Sequence, residues 1–508
     1  MVPGLGNDRG SRGLVTTMVL YVNKCESSLR QQQGIGKTET HLIWGDPVDI
    51  KREEGEYAWC RARNHEGWIK KTELSEKGLL EIYIIDVGQG DSVLVRTPDD
   101  KWHIIDGGNA IEQQMTRKSA ANFLRWKFQD DLGIKTVTLE NVILTHPDLD
   151  HFGGLMNIFL GDLHDGRTFP VVVNNFYHSG IGKFEDSPKL GTTVSGQPGP
   201  FPQGYHGIDE DGKFIVELLD GRDSFGNPVR LFDRECRQKT LCFEDFAKLV
   251  ASVPKNIKRL SHKDEHLPGY GPDENEVTIR VLAPVAETAG PGTEGLRVYG
   301  NEGETINGNS VVLRLDYGNA RILLTGDLNA KAEKLLLSYV DAADLAADVF
   351  KACHHGSDDV NYEFLKAVKP RATVISSGDN ETYAHPRPVA MGAVGRYGRD
   401  SKSRDNKEKY PPMVYSTELA RSVNLDHASD VQVREQGDQL RNVDVKDARV
   451  TTKDWNKKYR TLAETYLSTD LTYGLVNIRT DGRNILCGVM KESGKDFDCR
   501  VFQAGADV

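Results

Sequence analysis

The run Thr145-His146-Pro147-Asp148-Leu149-Asp150-His151-Phe152-Gly153-Gly154 places four candidate metal ligands, His146, Asp148, Asp150 and His151, within six residues. It follows the apolar run Val142-Ile143-Leu144 directly. Imidazole and carboxylate at this density suit one or two divalent cations, because a cation offsets the cost of crowding anionic groups. A strand that ends and at once presents such a cluster is where open α/β sheets keep their chemistry. A solvated polar loop often carries a single H-x-D pair, but H-x-D-x-D-H followed by Gly-Gly is denser than such a loop requires.

The arrangement recurs. Asp327 follows Ile322-Leu323-Leu324-Thr325-Gly326, His354 and His355 follow the run that begins Val349-Phe350, and His385 lies eight residues beyond Ser377. If these strands share a sheet, four polar clusters meet on one rim. The elements that must position them are strands over 80–86, 92–96 and 102–106, a helix over 120–132, and the strand before His146. Further on come a hairpin of 310–317 with 321–325, a helix over 330–340, a strand over 372–376 and a short helix over 388–397. Segments 413–417 and 473–479 read as closing strands. Strands alternating with helices imply layered α/β sheets.

At 508 residues the chain exceeds one ordinary core, so two or more domains are expected. With 27% charged and 38% hydrophobic residues and no apolar stretch near the ~20 residues that span a bilayer, it reads as soluble, without a membrane partner. The N-terminal MVPGLGNDRGSRG has no apolar core of a secretory signal. The seven cysteines form no C-x-x-C pair and read as reduced thiols, so the expected location is cytoplasmic. A net charge of −11 argues against a uniformly basic nucleic-acid binder, though not against a local basic groove. Such a strip is offered by Arg396, Arg399, Lys402, Arg404, Lys407 and Lys409, which outnumber Asp400, Asp405 and Glu408. Segment 14–76 alternates short β-rich runs with turns and reads as a small all-β module. Segments 180–305 and 418–470 read as insertions, the first holding one helix near 243–253.

Two resemblances follow from these residues. Ser28-Leu29-Arg30, Gly45-Asp46, Trp59 and Gly67-Trp68-Ile69, in that order, resemble the bacterial SH3 family, which implies a docking module for a protein or peptide partner. Asp86-Val87-Gly88-Gln89-Gly90-Asp91-Ser92, Ile105-Asp106-Gly107-Gly108, the 146–151 cluster, Asn309-Ser310-Val311-Val312, Leu324-Thr325-Gly326-Asp327, His354-His355-Gly356-Ser357 and His385-Pro386 resemble the metallo-β-lactamase superfamily, and within it the ComEC-like soluble hydrolases. The implied fold is α/β, a metallo-β-lactamase αββα sandwich over 79–508 preceded by a small all-β SH3-like barrel over 14–76.

The second resemblance implies two divalent metal ions. His146 and Asp148 match first-metal positions, Asp150 and His151 second-metal positions, and Asp327 the bridging carboxylate. One of His354 and His355 matches the late histidine ligand, with His354 favoured. Candidates for a further histidine are His164, His178 and His206, of which His178 is best placed. Asp148 stands where many members have His, and this harder donor makes Mn²⁺ a rival to Zn²⁺. Asp86 and Asp106 read as carboxylates that orient ligand imidazoles or order loops. Two close cations acidify water, so Asp150 or Asp148 would orient hydroxide and His385 would protonate a leaving group. The expected function is a metal-dependent phosphodiesterase or nuclease acting on DNA or another nucleic acid. The alternatives are a metallo-hydrolase of a small nucleotide, phosphoester, lactone or thioester, and an SH3-bearing adaptor with a structural hydrolase fold.

Overall fold

The computed structural model describes residues 18–113, 118–163, 165–196, 212–235, 241–378, 385–417, 430–434, 440–444, 475–490 and 497–505. The chain divides into two compact units, with the boundary between Lys77 and Gly78.

The N-terminal unit is all-β, with seven strands in one antiparallel sheet ordered Thr38–Ile43, Glu26–Arg30, His65–Lys70, Tyr57–Ala62, Pro47–Glu54, Met18–Val22 and Leu74–Ser75. Period-two alternation builds its core. Along Tyr57–Ala62, the side chains of Ala58, Cys60 and Ala62 are buried, while Tyr57, Trp59 and Arg61 are half-buried. The buried set packs with Val22, Leu29, Leu42, Val48 and Ile69.

The second unit is a four-layer α/β sandwich. One sheet has nine strands, in the order Asn256–Arg259, Val171–His178, Val137–Leu144, Trp102–Ile105, Val93–Arg96, Leu80–Ile84, Val476–Thr480, Asn484–Met490 and Phe497–Gln503. The other has six: Val277–Ala283, Val312–Tyr317, Ala320–Leu324, Val349–Lys351, Ala372–Ile375 and Met413–Ser416. Sheets covered on both faces are apolar on both faces, and side-chain parity sorts the residues between layers. Leu80, Ile82 and Ile84 pack between the sheets against Ile279, Ile322 and Val349. Tyr83 and Ile85 instead face the helical layer with Leu124, Leu155 and Phe246. The second sheet's outer face packs Leu323 and Phe350 against Leu335, Phe364 and Val394 of the helices Ala330–Tyr339, Tyr362–Val368 and Pro388–Tyr397.

Segment 180–305 is only partly an insertion, a correction to the sequence reading. It supplies the edge strand Asn256–Arg259 of the first sheet and the edge strand Val277–Ala283 of the second. Before and after these it adds the helix Phe243–Ser252 and a four-stranded sheet. The Gly- and Pro-rich flanks masked the strands. The expected helix over 120–132 is α only to Arg125 and continues as a π-helical turn over Trp126–Asp131. Two closing strands after Thr480 were missed, and most of 418–470 lies outside the described residues. Cys25, Cys60, Cys242, Cys353, Cys487 and Cys499 are free thiols. No described helix is long and apolar enough to cross a membrane.

Candidate metal centre

The ligand loop follows Val137–Leu144, the central parallel strand of the first sheet, and leads into the helix Leu149–Leu160. That helix packs backbone to backbone on the loop after Trp102–Ile105: a Cβ on Gly154 would lie 1.9 Å from the Gly107 carbonyl oxygen. Gly90 makes a similar approach, 1.9 Å from the Asp150 carbonyl, and holds φ at 98°. These glycines bring the 86–92 loop, Asp106 and the 146–151 loop together.

Across from them, the ends of Ala320–Leu324 and Val349–Lys351 deliver Asp327 and His355. Asp327 Oδ2 lies 3.1 Å from His355 Nε2, 3.4 Å from His151 Nε2, 4.0 Å from His146 Nε2 and 4.0 Å from His354 Nε2. Asp150 lies 3.6 Å from His355 Nε2 and 3.9 Å from His151 Nε2. Four overlapping ligand groups result among the described residues: His146, His151 and Asp327; Asp150, His151 and His355; Asp91, Asp327 and His355; and Asp91, Asp106 and His151.

The opposite ring nitrogens are anchored. His151 Nδ1 bonds to Asp106 Oδ2 at 2.9 Å, His355 Nδ1 to the Ser376 carbonyl at 3.1 Å, and His146 Nδ1 meets the Thr145 and Ser310 hydroxyls at 3.0 and 3.3 Å. Asp106 is itself fixed, accepting from Thr145 N at 2.8 Å and Thr145 Oγ1 at 2.7 Å. The facing Nε2 atoms of His146, His151 and His355, with Asp327 Oδ1, are buried and without a hydrogen-bond partner. Buried polar atoms are nearly always satisfied. Several converging orphans backed by anchored rings are the pattern a cation completes, and the donor set fits one.

Electrostatics agree. Burial disfavours the charged forms of His151 and His355, but Asp327 and the carboxylates beside it outweigh burial and raise both well above the ordinary histidine value. Asp327 is likewise driven down, its burial overcome by His355 and His151. The carboxylates thus demand positive charge, which protons supply where a cation is absent. His146, dominated by burial and by its neighbour His151, is pushed down to about 4 and stays neutral. Backbone strain is concentrated here too: Asp106, His354 and His355 hold φ of 57°, 45° and 53°. Left-handed geometry costs a non-glycine residue roughly 1–3 kcal/mol and persists where surroundings over-determine it.

The expected residues separate as follows. His146, Asp150, His151 and Asp327 converge. His355 joins them more closely than the favoured His354: the two successive left-handed residues coil the chain so that the second ring turns inward, while His354 keeps a 29% exposed side chain and an Nε2 4.0 Å from Asp327 Oδ2. His178 does not join. It shares strand parity with Phe176, and that face meets the helical layer; its ring stacks on Phe176 at 5.6 Å and meets Phe225 edge-on at 5.0 Å. His164 and His206 lie outside the described residues. Asp148 is 3.7 Å from His146 Nε2, but its other oxygen pairs with Lys183 at 2.7 Å. His385 sits beside the cluster, its ring 5.6 Å from that of His354, and burial with the two neighbouring histidines pushes it down to about 4. Asp86 accepts from Gly88 N at 3.3 Å and pairs with Lys118 at 2.6 Å, which orders its loop.

Sequence reasoning named Asp91 only as part of the 86–92 motif, without a role, and missed Lys351. Asp91 is buried beneath the centre; it pairs with the buried Lys351 ammonium and lies 3.3 Å from His355 Nδ1. The signal was a lone lysine closing an apolar strand. At least half of the basic strip is paired: Arg399 with Asp348, Lys407 with Asp405 and Lys409 with Asp400.

Comparison with known proteins places this centre in context. Residues 85–161 match the model of the metallo-beta-lactamase superfamily. ComE operon protein 3 of Bacillus subtilis is 33% identical over 333 residues, covering 64% of this chain and 31% of that protein. Competence protein ComA of Neisseria gonorrhoeae is 39% identical over 93 residues, covering 18% and 13%. Recombination protein 2 of Haemophilus influenzae is 34% identical over 92 residues, covering 18% and 11%. The chain spans under a third of the length of each of these relatives.

Proposed function

We propose, from the membership of residues 85–161 in the metallo-β-lactamase superfamily, that this chain is a metal-dependent phosphodiesterase acting on DNA or another nucleic acid. The observation that carries the hydrolase reading is the set of buried, partnerless Nε2 atoms of His146, His151 and His355 turned toward Asp327. Asp150, His151, His355 and Asp327 would hold one divalent cation, and His146 with Asp148 and Asp327 a second; Mn²⁺ and Zn²⁺ are both compatible with these nitrogen and carboxylate donors. A bound cation supplies Lewis-acid polarisation of a phosphoryl oxygen and acidification of water. The chain's own contribution is orientation. Asp106 and Ser376 fix the rings, Gln89 holds the Asp150 carboxylate through a 3.2 Å hydrogen bond, and the buried His385 ring beside His354 would hydrogen-bond a departing oxygen. The nucleic-acid substrate is supported by the competence and recombination names of two of the relatives.

A second reading keeps the centre and changes the substrate to a small phosphoester. It is favoured by a cavity of about 650 Å³ beside Asp148 and Asp150, walled by Asp233, Leu241 and Phe243 of the added segment, a volume typical of small-molecule sites. Assays on plasmid, single-stranded DNA, RNA and small phosphodiesters with Mn²⁺ or Zn²⁺ separate the two. Loss of hydrolysis in Asp150→Ala and Asp327→Ala is expected. Unchanged hydrolysis after thorough chelation refutes both, and metal-free protein inert on every substrate supports an adaptor role instead. For the N-terminal unit we propose docking of a protein or peptide partner, supported by the Trp59–Trp68 pair with the Arg52 guanidinium 5.7 and 5.2 Å from their rings.

A further inference from the structure

Lys183 lies just beyond the Val171–His178 strand and reaches across to the ligand loop, its Nζ 2.7 Å from Asp148 Oδ1. The other oxygen of Asp148 faces the buried, partnerless His146 Nε2 at 3.7 Å. Both partners are partly exposed, with 21% and 29% of their side chains accessible, and both line the cavity of about 650 Å³. Lys183 is the only cationic residue among the described lining residues, against the carboxylates of Asp148, Asp150, Asp233 and Glu235.

The two halves of the centre are therefore unequal. On one side Asp150 and Asp327 both approach the His151 and His355 rings, at 3.1 to 3.9 Å, with no ammonium on either carboxylate among the ion pairs described. The other half offers His146, a share of Asp327, and a carboxylate already neutralised by Lys183. His178, which would have completed it, is turned into the aromatic layer by strand parity. An ammonium on a donor oxygen both occupies a lone pair and repels an incoming dication.

We propose that Lys183 competes for Asp148, so that one cation position is filled tightly and the second fills only as Lys183 leaves the carboxylate. This inference rests on the metal-hydrolase reading above. The released ammonium sits on a flexible four-carbon stem at the cavity wall and matches a phosphoryl oxygen as a compact point charge. Lys183 thereby becomes the phosphate-recognising side chain of the cavity, and an anionic phosphoryl group promotes filling of the weaker position by giving the ammonium another partner.

Calorimetric titration of chelator-stripped, full-length protein with MnCl₂, with and without inorganic phosphate, tests this in the wild type, Lys183→Met and Lys183→Arg. The expected wild-type result is one tight equivalent and a second weaker by about tenfold or more, tightened by phosphate. Lys183→Met is expected to tighten the second equivalent by about tenfold and to abolish the phosphate effect. Lys183→Arg, which keeps the charge, retains the inequality and serves as the folded control, checked by circular dichroism. Two equal equivalents in the wild type, or an inequality unmoved by Lys183→Met, overturn the role of Lys183. Absence of manganese binding in all three proteins instead refutes the metal-centre reading.

Discussion

Replacing Glu333 with glutamine is expected to stabilise the protein by an amount that grows with pH. Glu333 is fully buried on the Ala330–Tyr339 helix, behind the loop that carries His354 and His355. One carboxyl oxygen accepts from Asn361 N at 2.5 Å and the other has no partner. Burial pushes its pKa from 4.5 to about 8, only partly opposed by the Asn361 amide and by Cys353. The folded chain therefore keeps a proton that the unfolded chain releases above 4.5. Stability from this group is complete below pH 4.5, declines as pH rises, and is lost by about pH 8. Over that window of 8 − 4.5 pH units, a slope of 1.36 kcal/mol per unit gives at most about 4–5 kcal/mol. Glutamine matches the neutral acid in shape and does not titrate, so the difference between the proteins should be small at pH 4.5 and near its maximum at pH 8.5. For a unit of roughly 430 residues this corresponds to about 5 °C in melting temperature. Thermal melts of both proteins across this range, in chelator to hold metal linkage constant, measure it directly. Parallel pH profiles, or a variant less stable throughout, would refute the burial argument.

The other predictions concern the centre and its supports. Asp106→Ala removes the acceptor of His151 Nδ1 and of Thr145, and should weaken metal affinity by about 10–100-fold in a titration while leaving the secondary structure intact. Lys351→Met leaves buried Asp91 without its ammonium, with only the His355 ring beside it, and should cost up to about 3–5 kcal/mol in denaturant unfolding; an unchanged midpoint would contradict the pair's structural weight. Gly154→Ala forces a Cβ to within 1.9 Å of the Gly107 carbonyl and should destabilise by about 3 kcal/mol or more, since backbone rather than a flexible side chain must yield. Wild-type melting in this variant would show that the Leu149–Leu160 helix and the Gly107 loop are not in such close contact.

The layered architecture was legible because its strands are apolar on both faces and end in chemically distinctive residues. His146, Asp150, His151 and Asp327 could be named from strand ends alone, since a strand terminus fixes where the next residues emerge. His178 could not, because its fate depends on parity across a whole strand: Phe176 and His178 face the helices, while Tyr177 faces the second sheet. His355 displaced His354 through two consecutive left-handed residues, a backbone feature that two histidines do not announce. Asp91 with Lys351, and Asp148 with Lys183, pair residues far apart in the chain, and only the folded sheets bring them together. Strands 256–259 and 277–283 were hidden by their polar alternation and by the turn-rich segments around them.

The most direct measurement is anomalous diffraction from crystals of the wild-type protein equilibrated with Mn²⁺. A peak bounded by Asp150, His151, His355 and Asp327, lost in Asp327→Ala, is the predicted result. A map without signal among these side chains, from protein that hydrolyses phosphodiesters in the same buffer, would contradict the account.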